Sequence, residues 1–153
     1  MTAFYNRIAQ VCCRLAYRAL LSLWFFTRPT VRGVYIAVWY QGQLLIIKNS
    51  YKKRFTIPCG RIKRGEDSAA AAVRELYEEV GIAVGKSWLK PIGEYTAKHK
   101  YAYDVGKFFE IEMTELPAVC VDNREVVQAQ FMSLDQVLKL QLSPTVTAWL
   151  NSR

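Results

Sequence analysis

Acidic residues are missing from the first 65 of the 153 positions. That stretch carries twelve lysines and arginines, a charge of +12, while the remainder sets nine basic residues against thirteen acidic ones, a charge of −4. Such asymmetry points the first part toward an anionic partner: a membrane surface, a nucleic acid or a polyphosphate. Histidine is also scarce, with His99 alone, and the four cysteines (Cys12, Cys13, Cys59, Cys120) form no Cys-x-x-Cys pair. Neither a structural zinc nor a disulfide framework is indicated, and a reducing cytoplasm is the expected compartment. No repeat, linker or nucleic-acid-binding motif is present, so nucleic acid is an unfavoured partner except as a 5′-end substrate. The chain is the length of one domain, and its 52% hydrophobic content rules out disorder as a whole-chain description.

Phe4 to Phe26 reads as an amphipathic helix. Phe4, Ile8, Val11, Cys12, Leu15, Ala19, Leu23 and Phe26 recur at three- and four-residue steps, with Arg7, Gln10, Arg14 and Arg18 off that stripe. Arg18 interrupts the apolar run well short of the ~20 residues that span a bilayer. Three readings stand: a helix lying on a membrane surface, a helix packed on its own domain or a second subunit, or a targeting segment. Cys12 and Cys13 read as small apolar residues rather than lipid attachment sites. Thr27-Arg-Pro29 ends the helix.

Beyond it, β-branched and aromatic residues predict a strand over Val31 to Tyr40, a turn at Gln41-Gly-Gln43 and a return strand over Leu44 to Lys48. Further strands are expected at Trp88 to Ala97, Tyr101 to Met113 and Val126 to Met132. Lys98-His99-Lys100 reads as a loop, and Val119 to Asp122 as a short strand or irregular link. Ser133 is the expected N-cap of one helix, and Ser143-Pro144 the start of the last. The pattern predicts an α/β domain over residues 31–153, preceded by the helical segment 1–30.

Gly60 to Ile82 is the stretch with the densest chemistry. A basic loop bounded by Gly60 and Gly65 runs into a helix that carries Glu75, Glu78 and Glu79 on one side. Ala69, Ala72, Val73, Leu76 and Val80 form the neighbouring apolar stripe. Clustered carboxylates repel one another, and a hard cation such as Mg²⁺ or Mn²⁺ would relieve that repulsion. Lys52, Lys53, Arg54, Arg61, Lys63 and Arg64 bracket the start of this stretch and are candidates for binding substrate phosphates. Tyr51, Phe55 and Tyr77 are candidates to stack on a base, or core residues.

The spacing resembles the Nudix box: Gly60, Glu66, Arg74, Glu75, Leu76, Glu78, Glu79, Gly81 and Ile82 occupy its specified positions. A chance match is on the order of 1 in 10¹⁰ at typical residue frequencies. The resemblance implies an α/β/α sandwich around a mixed sheet and a Mg²⁺-dependent hydrolase of phosphoanhydride bonds, with Mn²⁺ as an alternative ion. Its substrate class is a nucleoside diphosphate linked to a further group; a lipid or prenyl diphosphate, or a non-catalytic nucleotide sensor, is the alternative. It further implies Glu75, Glu78, Glu79 and the Gly60 carbonyl as metal ligands, and Arg74 as the group that orients a glutamate. Glu66 would brace the loop or reach the metal through water. Asp67 would cap the helix and Gly81 end it. Relatives often recruit one more carboxylate, for which Glu125 is the first candidate, ahead of Glu112 and Glu115. The chain departs from the family at Phe55 and Cys59, which stand where Trp and Gly are usual. A positive φ at residue 59 would strain a cysteine. Peripheral membrane contact through residues 4–26 and a homodimer complete the partner expectations.

Overall fold

A computed structural model of the chain describes residues 2–153. The elements follow in the order α1 (Thr2–Thr27), β1 (Thr30–Tyr40), β2 (Gln43–Asn49), β3 (Cys59–Arg61), α2 (Ser68–Val80), β4 (Lys90–His99), β5 (Ala102–Met113), β6 (Val126–Ser133), α3 (Leu134–Val137) and α4 (Pro144–Leu150). A 3₁₀ turn at Lys86–Trp88 leads into β4. Six strands form one mixed sheet in which β4-β5-β1-β2-β6 lie side by side and β3 pairs with β1. β1 and β5 are parallel; the other pairs are antiparallel.

β1 is buried on both faces, because successive side chains on a strand alternate. Val34, Ile36 and Val38 join Leu45, Ile47 and the α2 residues Ala72, Leu76 and Val80 in one core cluster. Tyr35, Ala37 and Trp39 join Leu44, Ile46 and the α4 residues Val146 and Trp149 in the other. The sheet is therefore sandwiched between α2 and the α3–α4 pair, as the α/β/α expectation has it. Among the described residues, neither cluster contains a side chain of α1.

A gap in the sheet positions the site. β1 and β2 are paired only beside their connecting turn, at Trp39 with Leu44 and Tyr40 with Gln43. Toward the other end they part, and residues 56–61 fill the opening. The Ile36 N–H donates to the Pro58 carbonyl at 2.8 Å and the Ile47 N–H to that of Thr56 at 2.7 Å. Gly33, Val34 and Tyr35 pair with Arg61, Gly60 and Cys59. The wedge satisfies backbone groups that the parting strands would leave unpaired, and it seats the entry to α2 against β1. That gap also makes Cys59–Arg61 a strand where the sequence suggested only a loop.

One local reading is corrected, and another is decided between its two alternatives. β4 continues through Lys98 and His99, and the turn falls at Lys100, which adopts φ 51°; the side chain of His99 lies outside the described part. Val119 to Asp122 is an irregular link, in which the Cys120 N–H donates to the Val80 carbonyl at 2.9 Å. At Ser133 the predicted cap is present, with Gln136 completing a capping box.

Candidate active site

α2 begins and ends as its sequence dictates. The Asp67 carboxylate accepts from the Ala70 N–H at 3.1 Å, and Gly81 leaves the helix with φ 72°. Between these caps Arg74 gathers the acidic groups. Its Nε and Nη2 donate to the two oxygens of Glu66 at 2.8 and 2.9 Å, and its Nη1 donates to Glu75 at 2.6 Å and Glu78 at 3.2 Å. Nη2 also donates to the Arg61 carbonyl at 3.0 Å, and the Lys63 N–H to Glu66 at 2.8 Å. The planar five-donor fork of arginine makes such a junction feasible. These bonds hold the Glu66 carboxyl down at about 2, first through Arg74 and then through the Lys63 amide. Glu66 thus ties the basic loop to the helix.

Glu79 faces inward and is only 9% exposed. Its Oε2 accepts from the Cys59 N–H at 2.8 Å. Burial pushes its carboxyl up to about 8; the charges of Glu125 and Glu75 add to this, while the Cys59 amide and Lys52 oppose it. Glu75 is raised as well, by burial first, against the pull of Arg74. Its carboxyl packs on Gly60 so closely that a Cβ there would fall 1.9–2.3 Å from the carboxyl atoms. Gly60 is thus a requirement of packing rather than of backbone angle. Cys59 is not among the residues with positive φ, so the departure from the family costs no backbone strain. Its thiol is pushed up to about 12 by burial, and the backbone N–H is the part that meets Glu79.

Glu75, Glu78, Glu79, Arg74, Gly60 and Glu125 all line one cavity of about 770 Å³. Glu125 is positioned by Tyr51, whose hydroxyl donates to its Oε1 at 2.6 Å. Glu112 and Glu115 are exposed and do not line the cavity. Of the six basic candidates, Lys52, Arg61 and Lys63 line it; Lys53, Arg54 and Arg64 are exposed and do not. Burial works against the Lys52 ammonium, yet its pKa is raised, because acidic groups around it (Cys59, Glu79 and Glu125 among them) outweigh burial. Of the aromatic candidates, Tyr51 lines the cavity, Phe55 packs against the α4-side core under the Lys48 ammonium, and Tyr77 is exposed.

Sequence reasoning missed three contributions. Asp104 on β5 lines the cavity and accepts from the hydroxyls of Tyr35 and Thr145, the latter at 2.6 Å. Tyr35 on β1 lines it too, with burial raising its phenol pKa. The third is α1, whose Cys13, Ala16, Tyr17, Leu20 and Trp24 form a wall of the same cavity. The Tyr17 ring packs at a tilt against that of Tyr51, centroids 5.1 Å apart, and Arg61 lies over Trp24 at 5.6 Å. The signal for α1 was present as a second periodic row, obscured by the more apolar row on the opposite side of the helix.

The donor set fits a hard divalent cation. It consists of carboxylate oxygens and a carbonyl, and burial and mutual repulsion act on Glu75 and Glu79 against the pull of Arg74 and Lys52. Among the described residues no three acidic, histidine or cysteine side chains stand ready around one point. Arg74 and the Cys59 amide instead hold Glu75, Glu78 and Glu79 in the hydrogen bonds given above.

An oxygen-rich carboxylate helix set into an α/β/α sandwich defines a hydrolase class, and the comparisons agree. The NUDIX domain model matches residues 29–150, and the chain belongs to the Nudix family of hydrolases. No curated protein sequence matches it. Solved structures share the fold at low identity. A MutT protein from Methanosarcina mazei superposes with a TM-score of 0.68 at 17% identity, covering 82% of this chain and 93% of that one. An Ap4A hydrolase from C. elegans gives 0.63 at 19% identity, with 80% and 99% covered. A bifunctional NMN adenylyltransferase/ADP-ribose pyrophosphatase from Francisella tularensis, complexed with AMP and a manganese ion, gives 0.68 at 15%, with 92% and 46% covered. Nudix hydrolases generally use divalent metals.

Proposed function

We propose that this chain is a Mg²⁺-dependent hydrolase of the phosphoanhydride bond in a nucleoside diphosphate linked to a further group, such as phosphate, a sugar or another nucleotide. The observation that carries this reading is the convergence of four glutamates and four cationic side chains, Arg74 among them, on one cavity. Residues 31–153 form the hydrolase domain, with residues 1–30 appended to it. Glu75, Glu78, Glu79 and the Gly60 carbonyl would hold the ion, with Mn²⁺ as its substitute. When bound, it neutralises diphosphate charge and makes water a better nucleophile.

The chain's own residues do the rest. Lys52, Arg61 and Lys63 bind the phosphates and offset their charge. Glu125, aimed by the Tyr51 hydroxyl, accepts a proton from the attacking water. Arg74 keeps Glu75 and Glu78 turned toward the cavity rather than apart. Nucleotide-directed relatives support the substrate class: the Francisella protein is a complex with AMP, and a Nudix domain from Shewanella oneidensis is a complex with ADP-ribose.

A second reading, hydrolysis of a lipid or prenyl diphosphate, is favoured by one observation: Leu20, Trp24 and Tyr17 of α1 make one cavity wall apolar. In either reading the protein is cytoplasmic and touches a membrane peripherally through residues 4–26. A hydrolysis panel decides between the substrates. It would set nucleoside triphosphates, dinucleoside polyphosphates, ADP-ribose, nucleotide sugars, capped RNA and prenyl diphosphates side by side, in Mg²⁺ and in EDTA. Turnover of a nucleotide in Mg²⁺ alone is the expected result; turnover of none would sink the enzyme reading.

A further inference from the structure

α1 has two apolar rows, and they face in opposite directions. Cys13, Tyr17, Leu20 and Trp24 recur at helical spacing and turn toward the reaction cavity, where each is partly covered. Phe4, Ile8, Val11, Leu15, Leu23 and Phe26 lie on the far side at the same spacing and are 46–81% exposed. The helix advances about 100° per residue, which puts the two rows on roughly opposite sides. Arg7, Arg14 and Arg18 run along one flank between them. Arg14 is engaged inward, its Nε donating to the Ser50 carbonyl at 3.2 Å, and Gln10 donates to the Asn123 carbonyl at 2.8 Å. The more apolar row that sequence periodicity located is therefore the one turned to solvent. A contiguous exposed apolar row of this size marks an interaction surface.

Charge selects the occupant. The row is bordered by arginines, and no acidic residue occurs before Glu66 to offset them, so the surface complements an anionic layer. A second copy fits less well. The three- and four-residue spacing of Phe4, Ile8, Val11 and Leu15 continues to Arg18 and Ser22, so a paired helix would bring like cations into the seam. Spanning a bilayer fits less well too. The helix is long and apolar enough to cross by composition alone, yet crossing would place Arg14 and Arg18 in hydrocarbon. It would also break the bonds to Ser50 and Asn123 and the Tyr17–Tyr51 ring contact. Lying flat keeps all of these and buries only the outward row.

We propose that the outward row of α1 is a docking surface for an anionic lipid bilayer, on which the helix lies in the headgroup plane with the reaction cavity beneath it. This gives the peripheral-membrane reading above a surface and an orientation, and it holds whichever diphosphate the cavity accepts. Docking leaves the inner row in place, so the cavity keeps its wall in the bound form.

Flotation of the full chain on phosphatidylcholine vesicles, with and without phosphatidylglycerol, tests it by partition rather than by activity. The expected result is binding that is about tenfold or more stronger on the anionic vesicles and falls with salt. Ile8→Asp with Leu15→Asp should lower that partition at least about tenfold, with the wild-type circular dichroism and thermal midpoint retained. Arg7→Gln with Arg18→Gln should weaken binding to the anionic vesicles alone. Absence of flotation on either vesicle overturns the proposal. So does equal flotation of wild type and the Ile8/Leu15 variant. A concentration-dependent dimer in sedimentation that the same variant dissolves would assign the row to a second copy instead.

Discussion

Replacing Glu79 by glutamine should separate the electrostatic cost of the site from its use. The carboxyl is buried, and its pKa is displaced from 4.5 to about 8. In the metal-free protein the folded state keeps this proton at pH values where the unfolded chain has lost it. A raised pKa of this kind contributes stability that is complete below the unfolded value and is lost as pH rises through the folded one. At about 1.4 kcal/mol per pH unit the displacement amounts to at most about 5 kcal/mol, and relaxation and water entry should bring the observed fall to about 2–4 kcal/mol. That is a large share of a typical domain's ~5–15 kcal/mol. Urea unfolding in EDTA from pH 5 to pH 9 reads it directly: wild type should weaken with rising pH, and Glu79→Gln should weaken much less. The glutamine oxygen can still accept from the Cys59 amide, so the comparison isolates the charge. Saturating Mg²⁺ should restore wild type at high pH and leave the variant unchanged. Parallel pH profiles in EDTA for the two proteins would refute the reasoning.

Other expectations follow from contacts of the same kind. Gly60→Ala should lower turnover roughly 100-fold with little loss of folding, because its methyl group would displace the Glu75 carboxyl into the open cavity; steady-state kinetics beside a melting curve checks both halves. Tyr51→Phe should reduce kcat about 3–10-fold with KM nearly unchanged, since it removes the hydrogen bond that aims Glu125 and leaves the phosphate-binding cations alone. Arg74→Lys should cost about 1–2 kcal/mol in urea unfolding, as one ammonium cannot bridge Glu66, Glu75 and Glu78 together. Cys59→Ala should retain near wild-type turnover in steady-state kinetics, because only the backbone N–H of that residue meets Glu79.

How much of this was legible in the sequence depends on which forces position each residue. Glu75, Glu78, Glu79 and Arg74 share a helix, so three- and four-residue spacing alone fixes their relation, and Asp67 and Gly81 mark its ends by local chemistry. Glu125 was accessible by a weaker argument, its place just before β6. Tyr35 and Asp104 were not. They meet because β1 pairs in parallel with β5 across some seventy residues, with Val31 opposite Asp104 and Tyr35 opposite Phe108, and no local pattern encodes that register. The six basic residues divided by the path of the wedge between β1 and β2, which turns Lys52, Arg61 and Lys63 to the cavity and leaves Lys53, Arg54 and Arg64 outside it. In α1 periodicity located both the helix and its most apolar row, but not the direction in which that row points. Burial is decided by what the helix lies against, and here that is a cavity lined by carboxylates and tyrosines rather than the core.

The most direct test of the central claim is turnover by Glu79→Gln. On the best substrate from the panel, in saturating Mg²⁺, the variant should lose most of the metal-dependent rate, on the order of 100-fold or more, while its melting curve shows an intact fold. Near-normal turnover by that variant would contradict the assignment of the α2 carboxylates as the seat of the reaction.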